Sequence, residues 1–443
     1  MDTTRTNGPM IALISLGCPK NLVNSEEMLA LLDDAGYCFT DEPAEAQVVI
    51  INTCGFIDDA KSEAIDRILE TAALREENPE LKIVVTGCLS QRYGEEIRAE
   101  IPEVDALVGT GSYGEIVSVV DEVLQGAHPV RMASINAPLC ELPRVISTGP
   151  SWAYLRIAEG CDNRCAYCII PTLRGKFRSR TMESILEEAR GLSESGIREV
   201  IIVAQDITRY GIDLYGRHRL ADLLRELCKM NFNWVRLHYL YPEEIDDELI
   251  EVIASEPKIV KYLDIPIQHI NTAILKRMNR RGTGEEIRAL FAKLRARIPE
   301  LVLRTSLIVG LPGEGEAEFE ELCEFLREAR IERAGVFPFS PEEGTPAARM
   351  DDRCTREEAQ RRAGLIMDLQ AVIMDELAES FIDQEIDVLV MGRDDMGLLW
   401  GRSAYDSPEI DSRVVFGGMA EPGDMVRVLI TGADDGELIG QQV

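Results

Sequence analysis

No uninterrupted apolar run in this chain of 443 residues approaches the roughly 18 that a membrane-spanning helix needs. The opening Met1-Asp-Thr-Thr-Arg-Thr-Asn-Gly8 lacks the apolar core of a signal peptide, so a cytoplasmic protein without a membrane partner is expected. Histidine is scarce: only His128, His218, His238 and His269 occur, and no Ser-His-Asp arrangement is visible among them. Positive charge is also short, with 47 Lys and Arg against 78 Asp and Glu and a formal net charge of −31. Lysine is missing altogether from Ala378 to Val443, a stretch with 14 acidic and 4 basic residues. Nucleic-acid binders gain affinity by neutralising phosphates with Lys and Arg, so this deficit argues against a nucleic-acid substrate. Acidic charge either serves solubility alone or speeds encounter with a basic protein.

Cysteine is the residue type the chain does have to spare. Eleven is an odd number for a disulfide framework, and in a reducing compartment cysteines are metal ligands, catalytic groups or buried residues. Cys38, Cys140, Cys228, Cys323 and Cys354 fall in no pattern and read as small apolar residues. Cys161-x-x-x-Cys165-x-x-Cys168, with Tyr167 before the last thiol, is different. Three thiolates this close can hold three irons of a four-iron cluster and leave the fourth open to a cofactor or substrate. Zinc is the alternative, but it wants four tetrahedral ligands and no fourth Cys or His stands nearby.

A second triad is spread over the first 115 residues. Ile11–Leu16 runs into Gly17-Cys18, Val48–Asn52 into Thr53-Cys54, and Ile83–Thr86 into Gly87-Cys88. Each run reads as a buried parallel strand, and helical patterns follow at Ser25–Ala35, Ala60–Glu76 and Glu95–Ile101. In such an α/β sheet the turns after the strands share the carboxyl edge, where these folds bind ligands. Cys18, Cys54 and Cys88 are therefore expected to converge, either on a second cluster or as small thiols packing helices on strands. Gly109-x-Gly111-x-x-Gly114 matches a dinucleotide fingerprint but lacks the acidic residue about 20 positions on, and is taken as a tight turn opening a helix.

From Trp152 to Phe339 strands recur between amphipathic helices: Trp152–Ile157, Glu199–Ala204, Trp234–Tyr239, Tyr262–Ile265, Leu301–Val309 and Ala334–Phe339. Six units make a partial barrel, with its active face at the strand C-termini. Gln205-Asp206, Gln268-His269 and Gly310-Leu-Pro-Gly313-Glu314 end strands on that face. The glycines let backbone approach a cofactor, while Gln268-His269 reads equally as a helix-start turn. The basic stretch Arg174 to Arg180 is either a carboxylate site or a solvated face. After Phe381 short strands and Gly/Pro turns predict a small β-barrel without catalytic residues, hence a recognition module. The chain thus reads as α/β in three parts: a parallel-sheet domain over 1–137, a partial (β/α)6 TIM-like barrel over 147–376 and a small β-barrel over 378–443.

The two triads and the terminal barrel together resemble the methylthiotransferase family of radical S-adenosylmethionine enzymes. That resemblance implies an auxiliary 4Fe–4S cluster on Cys18, Cys54 and Cys88, a radical 4Fe–4S cluster on Cys161, Cys165 and Cys168, and a terminal TRAM domain. It implies no catalytic side chain beyond the cluster ligands. Tyr167, Asp206, Gly310 and Glu314 are the expected S-adenosylmethionine contacts. Gly17-Cys-Pro19-Lys20-Asn21, Cys54-Gly-Phe-Ile57 and Tyr405-Asp-Ser-Pro-Glu-Ile-Asp411 resemble the protein-modifying, RimO-type branch; the tRNA branch usually has Gln-Met at positions 19 and 20. Ser407 and Ser412 depart from that branch's pattern, which has Ala and Gly there. The implied activity is methylthiolation of the β-carbon of an aspartate in ribosomal protein S-twelve, with the free protein or the small ribosomal subunit as partner. It would consume two S-adenosylmethionine molecules and cluster-bound sulfur, with a flavodoxin or ferredoxin as electron donor. The alternative is a tRNA adenosine methylthiotransferase.

Overall fold

A computed structural model describes residues 8–139, 141–434 and 436–443. Residues 1–7, on which the leader reading rests, and Cys140 lie outside the described residues. Strands Met10–Ser15 (β1), Cys38–Phe39 (β2), Val48–Thr53 (β3), Lys82–Gly87 (β4), Ala106–Val108 (β5) and Val130–Arg131 (β6) form one all-parallel sheet in the order β2-β1-β3-β4-β5-β6. Alternation of apolar residues decides which helix covers which face. Ile11, Ile50 and Val84 pack on Met28 and Leu32 of the helix Pro19–Asp34 (α1). Val49, Ile51 and Val85 pack on Ala64 and Ile68 of Asp58–Ala73 (α2) and on Leu89 and Ile97 of Cys88–Glu100 (α3). The topological switch point therefore falls between β1 and β3, and a crevice opens at their carboxyl ends.

The helices begin earlier than the apolar periodicity predicts, at Pro19, Asp58 and Cys88 in place of Ser25, Ala60 and Glu95. Pro19 suits the first helical position, where no amide partner is missed. The first turns carry polar residues that face the crevice and so show no apolar stripe. In α3 the backbone at Tyr93 leaves helical geometry, which splits the polar first turn from the amphipathic remainder.

The central strands are Trp152–Arg156 (β7), Glu199–Val203 (β10), Trp234–His238 (β11), Ile259–Asp264 (β12), Val302–Val309 (β13) and Arg333–Pro338 (β14). A small ribbon, Ala158–Glu159 (β8) with Arg178–Ser179 (β9), stands apart from them. The six main strands are parallel and neighbours in chain order, forming an open, partial barrel. Leu155, Ile202, Leu237, Leu263 and Leu303 bury outward against the helices. The opposite faces fill the lumen: Trp152, Tyr154, Ile201 and Val203 meet Leu22 and Val23 of α1.

The last strands, Glu385–Arg393 (β15), Leu399–Ser403 (β16), Val414–Gly417 (β17), Met425–Asp434 (β18) and Glu437–Gln442 (β19), close into a five-stranded barrel. It plugs the lumen of the central barrel from below. Leu389 and Met425 pack on Trp234, Val260, Tyr262 and Val302. Glu199 accepts from Arg236 and from Arg402, both at 2.6 Å. The motif 405–411 faces the central sheet. Tyr262 Oη donates to Asp411 at 2.6 Å, Arg333 to Asp406 at 3.1 Å, and Ser407 lies 3.1 Å from His238 Nε2. The departure at position 407 is accommodated because the hydroxyl finds this imidazole.

Candidate functional site

The turns after β1, β3 and β4 interlock. Gly17 (φ +89°) lies so close to Cys54 that a β-carbon would stand 2.7 Å from Cys54 Cβ and 3.3 Å from its Sγ. A β-carbon on Gly55 would come within 3.0 Å of the Cys88 carbonyl oxygen. Only glycine permits both approaches. Cys18 caps α1, and Cys88 is the first residue of α3. Asn21 ties the edge together by donating to Leu16 O at 3.0 Å and Thr53 O at 2.9 Å. Cys18, Cys54 and Cys88 are thus brought together at the crevice, as the strand pattern predicted.

Arg174 reaches this triad from the central barrel. It is buried and donates to Cys88 Sγ at 3.3 Å, Asn24 Oδ1 at 2.8 Å and Glu159 at 3.4 Å, and also to Asn21. The stretch 174–180 is therefore a solvated face only in part. Arg180, for its part, is spent on Glu188 and Glu141. Burial alone would raise the Cys18 thiol, but Lys20 and Arg174 outweigh it and hold it below its ordinary value. Burial and the neighbouring thiols push Cys54 up to about 12, and burial raises Cys88. Three thiols crowded out of water ionise together only when cations sit among them.

Cys161, Cys165 and Cys168 follow β7 and β8 at the C-terminal face of the central barrel. All three border a cavity of about 840 Å3 that α1, the β3–α2 turn and residues 337–360 complete. Arg280 is stacked 4.1 Å from the Tyr241 ring centroid and lies 3.9 Å from Cys165 Sγ. Burial pushes Cys161 up to about 11. Ile169 and Leu173, just beyond Cys168, pack on Cys88, so the two triads abut. Among the described residues no three His, Cys, Asp or Glu side chains close on one point as ligands of a single metal ion do.

Of the other expected contacts, Tyr167 and Gly310 border the cavity. Asp206 and Glu314 lie behind it. Asp206 accepts from Asn163, itself a wall residue, at 2.8 Å and from Thr208. Glu314 accepts the Gly310 N–H on both oxygens at 3.0 Å and Arg362 at 2.7 Å. Burial opposes ionisation of Glu314, but His269, the Gly310 amide and Arg362 hold its carboxyl low. The Gly310 approach is to the protein itself, since a β-carbon there would meet Ala359 Cβ at 2.6 Å. Gln268 borders the cavity, whereas buried His269 accepts the Asn271 N–H at the start of a helix, so the two readings of that pair each describe one residue. The Gly109–Gly114 turn is closed by its own chain: a β-carbon on Gly111 would meet the carbonyls of Ala133 and Ser134 at 2.9 Å. Arg280 had no local signature, its partner Cys165 being 115 residues away in sequence; Arg174 fell in the basic stretch 174–180, but its partner Cys88, 86 residues away, could not be read from it.

Three family models match the chain in order: Uncharacterized protein family UPF0004 over residues 10–109, the Radical SAM superfamily over 155–326 and the TRAM domain over 382–443. The chain is 48% identical over 436 residues to a protein of Lachnoclostridium phytofermentans named ribosomal protein uS12 methylthiotransferase RimO, covering 97% of this chain and 99% of that one. A Pelotomaculum thermopropionicum protein of the same name is 49% identical, covering 98% and 100%. Among solved structures, the radical S-adenosylmethionine methyltransferase TsrM of Kitasatospora setae, with cobalamin and a 4Fe–4S cluster bound, aligns with TM-score 0.55 and 15% identity over 77% of each chain. OxsB, a cobalamin-dependent S-adenosylmethionine radical enzyme, aligns with TM-score 0.52 and 14% identity over 82% of this chain and 56% of that one. These two likenesses show the fold. With near-full-length identity of this order, the chain belongs to the RimO family of radical S-adenosylmethionine methylthiotransferases.

Proposed function

We propose that this enzyme methylthiolates ribosomal protein uS12 on the β-carbon of an aspartate, in the cytoplasm. The observation that carries the reading is the near-full-length identity to proteins named for that activity. In this reading Cys161, Cys165 and Cys168 hold one 4Fe–4S cluster beside S-adenosylmethionine, and Cys18, Cys54 and Cys88 hold a second. Both fit the donor sets: the first triad borders the cavity, and the second sits among interlocked glycine turns that leave its thiols side by side. When bound, these groups supply the one-electron C–H activation, the sulfur and the methyl group, none of which a side chain can provide.

The chain's own residues bind, orient and exclude water. Tyr167 and Gly310 contribute walls for the cofactor. Asp206 positions Asn163, and Glu314 fixes the Gly310 amide. Arg174 offsets the negative charge of the second triad. Phe56 and Ile57, from the turn that carries Cys54, border the cavity together with Cys161, Cys165 and Cys168.

The test is anaerobic incubation of the reconstituted, reduced enzyme with S-adenosylmethionine and sulfide, offering uS12 and unmodified tRNA together. Mass spectrometry is expected to find a methylthio group on a uS12 aspartate and unchanged tRNA. Methylthio-adenosine in the tRNA with unmodified uS12 overturns the reading.

A further inference from the structure

Lys20 is the second residue of α1, two positions after Cys18, and its place is fixed by the helix start, where Asn21 and Leu22 donate to the Cys18 carbonyl at 2.8 and 3.2 Å. Its side chain is only 9% exposed and borders the cavity that Cys161, Cys165 and Cys168 also border. The ammonium rests 4.6 Å from the centroid of the Tyr239 ring. Among the described residues it makes no hydrogen bond and no ion pair within 4.0 Å, although the protein has 78 acidic side chains to offer. A buried ammonium with all three donors unspent is costly, and proteins ordinarily pair such a charge. Of the buried charges around the cavity, Glu342 is engaged by Lys61 and Arg92 and Arg280 by Pro266 O and the Tyr241 ring, while Asp351, Arg353 and Arg356 are exposed.

We propose that the Lys20 ammonium, with no hydrogen-bonded or ion-paired partner among the described residues in the wall of the cavity that Cys161, Cys165 and Cys168 border, receives the side-chain carboxylate of the residue to be modified. This rests on the proposed function, and it names the group that selects the target. A compact point charge with three rotatable donors suits a single carboxylate, and the burial of Lys20 strengthens the pair. An aspartate's β-carbon is bonded directly to its carboxyl carbon, so anchoring the carboxylate fixes the carbon that reacts. Asparagine offers no negative charge to the ammonium, and glutamate sets a different carbon beside it.

The experiment uses holoenzyme and two forms of uS12, one with the natural target aspartate and one with that residue changed to Asn. Binding of each is measured anaerobically to the wild-type enzyme, Lys20→Met and Lys20→Arg, with iron content measured for every preparation. The wild type is expected to prefer the Asp form by about 10- to 100-fold, the range of a charged hydrogen bond. Lys20→Met, at wild-type iron content, should bind both forms alike, and Lys20→Arg should keep part of the preference. Equal binding of both forms by the wild type, or an undiminished preference in Lys20→Met, overturns the proposal. Should Lys20→Met fall short in iron, Lys20→Arg decides, since an Asp-to-Asn ratio identical to wild type overturns it as well. Failure of the functional reading looks different: the wild type would then leave natural uS12 without a methylthio group whatever residue stands at position 20.

Discussion

At the scale of single residues, the two triads differ in what surrounds them. Cys165 lies in the cavity wall near Arg280 and Tyr241, while Cys54 sits at the crevice of the first sheet between Cys18 and Cys88. Removing one thiol should therefore separate two halves of the reaction. Cys165→Ala is expected to lower S-adenosylmethionine cleavage, read as deoxyadenosine, by a factor of about 100 or more, a loss of the size that follows when a central catalytic group is removed. Cys54→Ala should still form deoxyadenosine while methylthiolated product disappears. Product from Cys54→Ala at the wild-type rate would remove that triad from the chemistry. The separation is incomplete, because the segment after Cys168 reaches the other triad: Ile169 and Leu173 pack on Cys88 and Arg174 bonds its thiol.

At the scale of elements, the docking of the terminal barrel on β10, β11, β12 and β14 turns on Glu199, buried between Arg236 and Arg402. Burial alone would raise its carboxyl, but the two guanidinium groups outweigh it and hold it below its ordinary value. The unfolded carboxyl titrates near 4.3. A folded pKa below that contributes stability fully present above the unfolded value and lost as pH falls through the folded one. Glu199→Gln leaves two buried cations without an anion and should cost about 3–5 kcal/mol in urea unfolding. Acidification below pH ~4 should loosen the same contact, read by tryptophan fluorescence because Trp152 lies 5.6 Å from the Arg402 guanidinium. An unfolding midpoint unchanged in Glu199→Gln would contradict this account. Sequence periodicity sufficed for the strands here, since Trp152–Arg156, Glu199–Val203 and Trp234–His238 are short β-branched or aromatic runs that bury both faces. It could not place Tyr405–Asp411. A polar, acidic segment shows no apolar periodicity, and its partners His238, Tyr262 and Arg333 lie 73 to 169 residues away. The approach of Cys18, Cys54 and Cys88 was legible because strand ends in a parallel sheet share one edge, whereas the direction of Asp206 and Glu314 depends on hydrogen bonds that spacing does not encode.

At the scale of the whole molecule, a formal charge of −31 sets the range over which a partner is felt. Part of that charge is used internally, as the ion pairs at Glu199 and Glu314 illustrate, and the rest acts through solvent. A basic ribosomal protein should be drawn in by it, with an association rate that falls as salt screens the field. Between roughly 50 and 500 mM salt the Debye length shrinks about threefold, and the association rate constant for uS12 should fall by ~10-fold or more while dissociation changes little. Stopped-flow binding at several ionic strengths measures this, and a salt-independent rate would assign the charge to solubility alone.

The plug in the central lumen also constrains how the protein is made. Leu389, Arg402 and Met425, which cover Trp234 and neutralise Glu199, are synthesised after every strand of the central barrel. Until they have left the translating ribosome, the barrel has walls and a mouth but no floor, and its ionic lumen stands open to water. The active cavity at the opposite end is built on those same strands. Competence therefore waits on residues that follow every strand of the central barrel, so a chain cut before Glu385 would hold every cysteine of both triads on an unfinished scaffold.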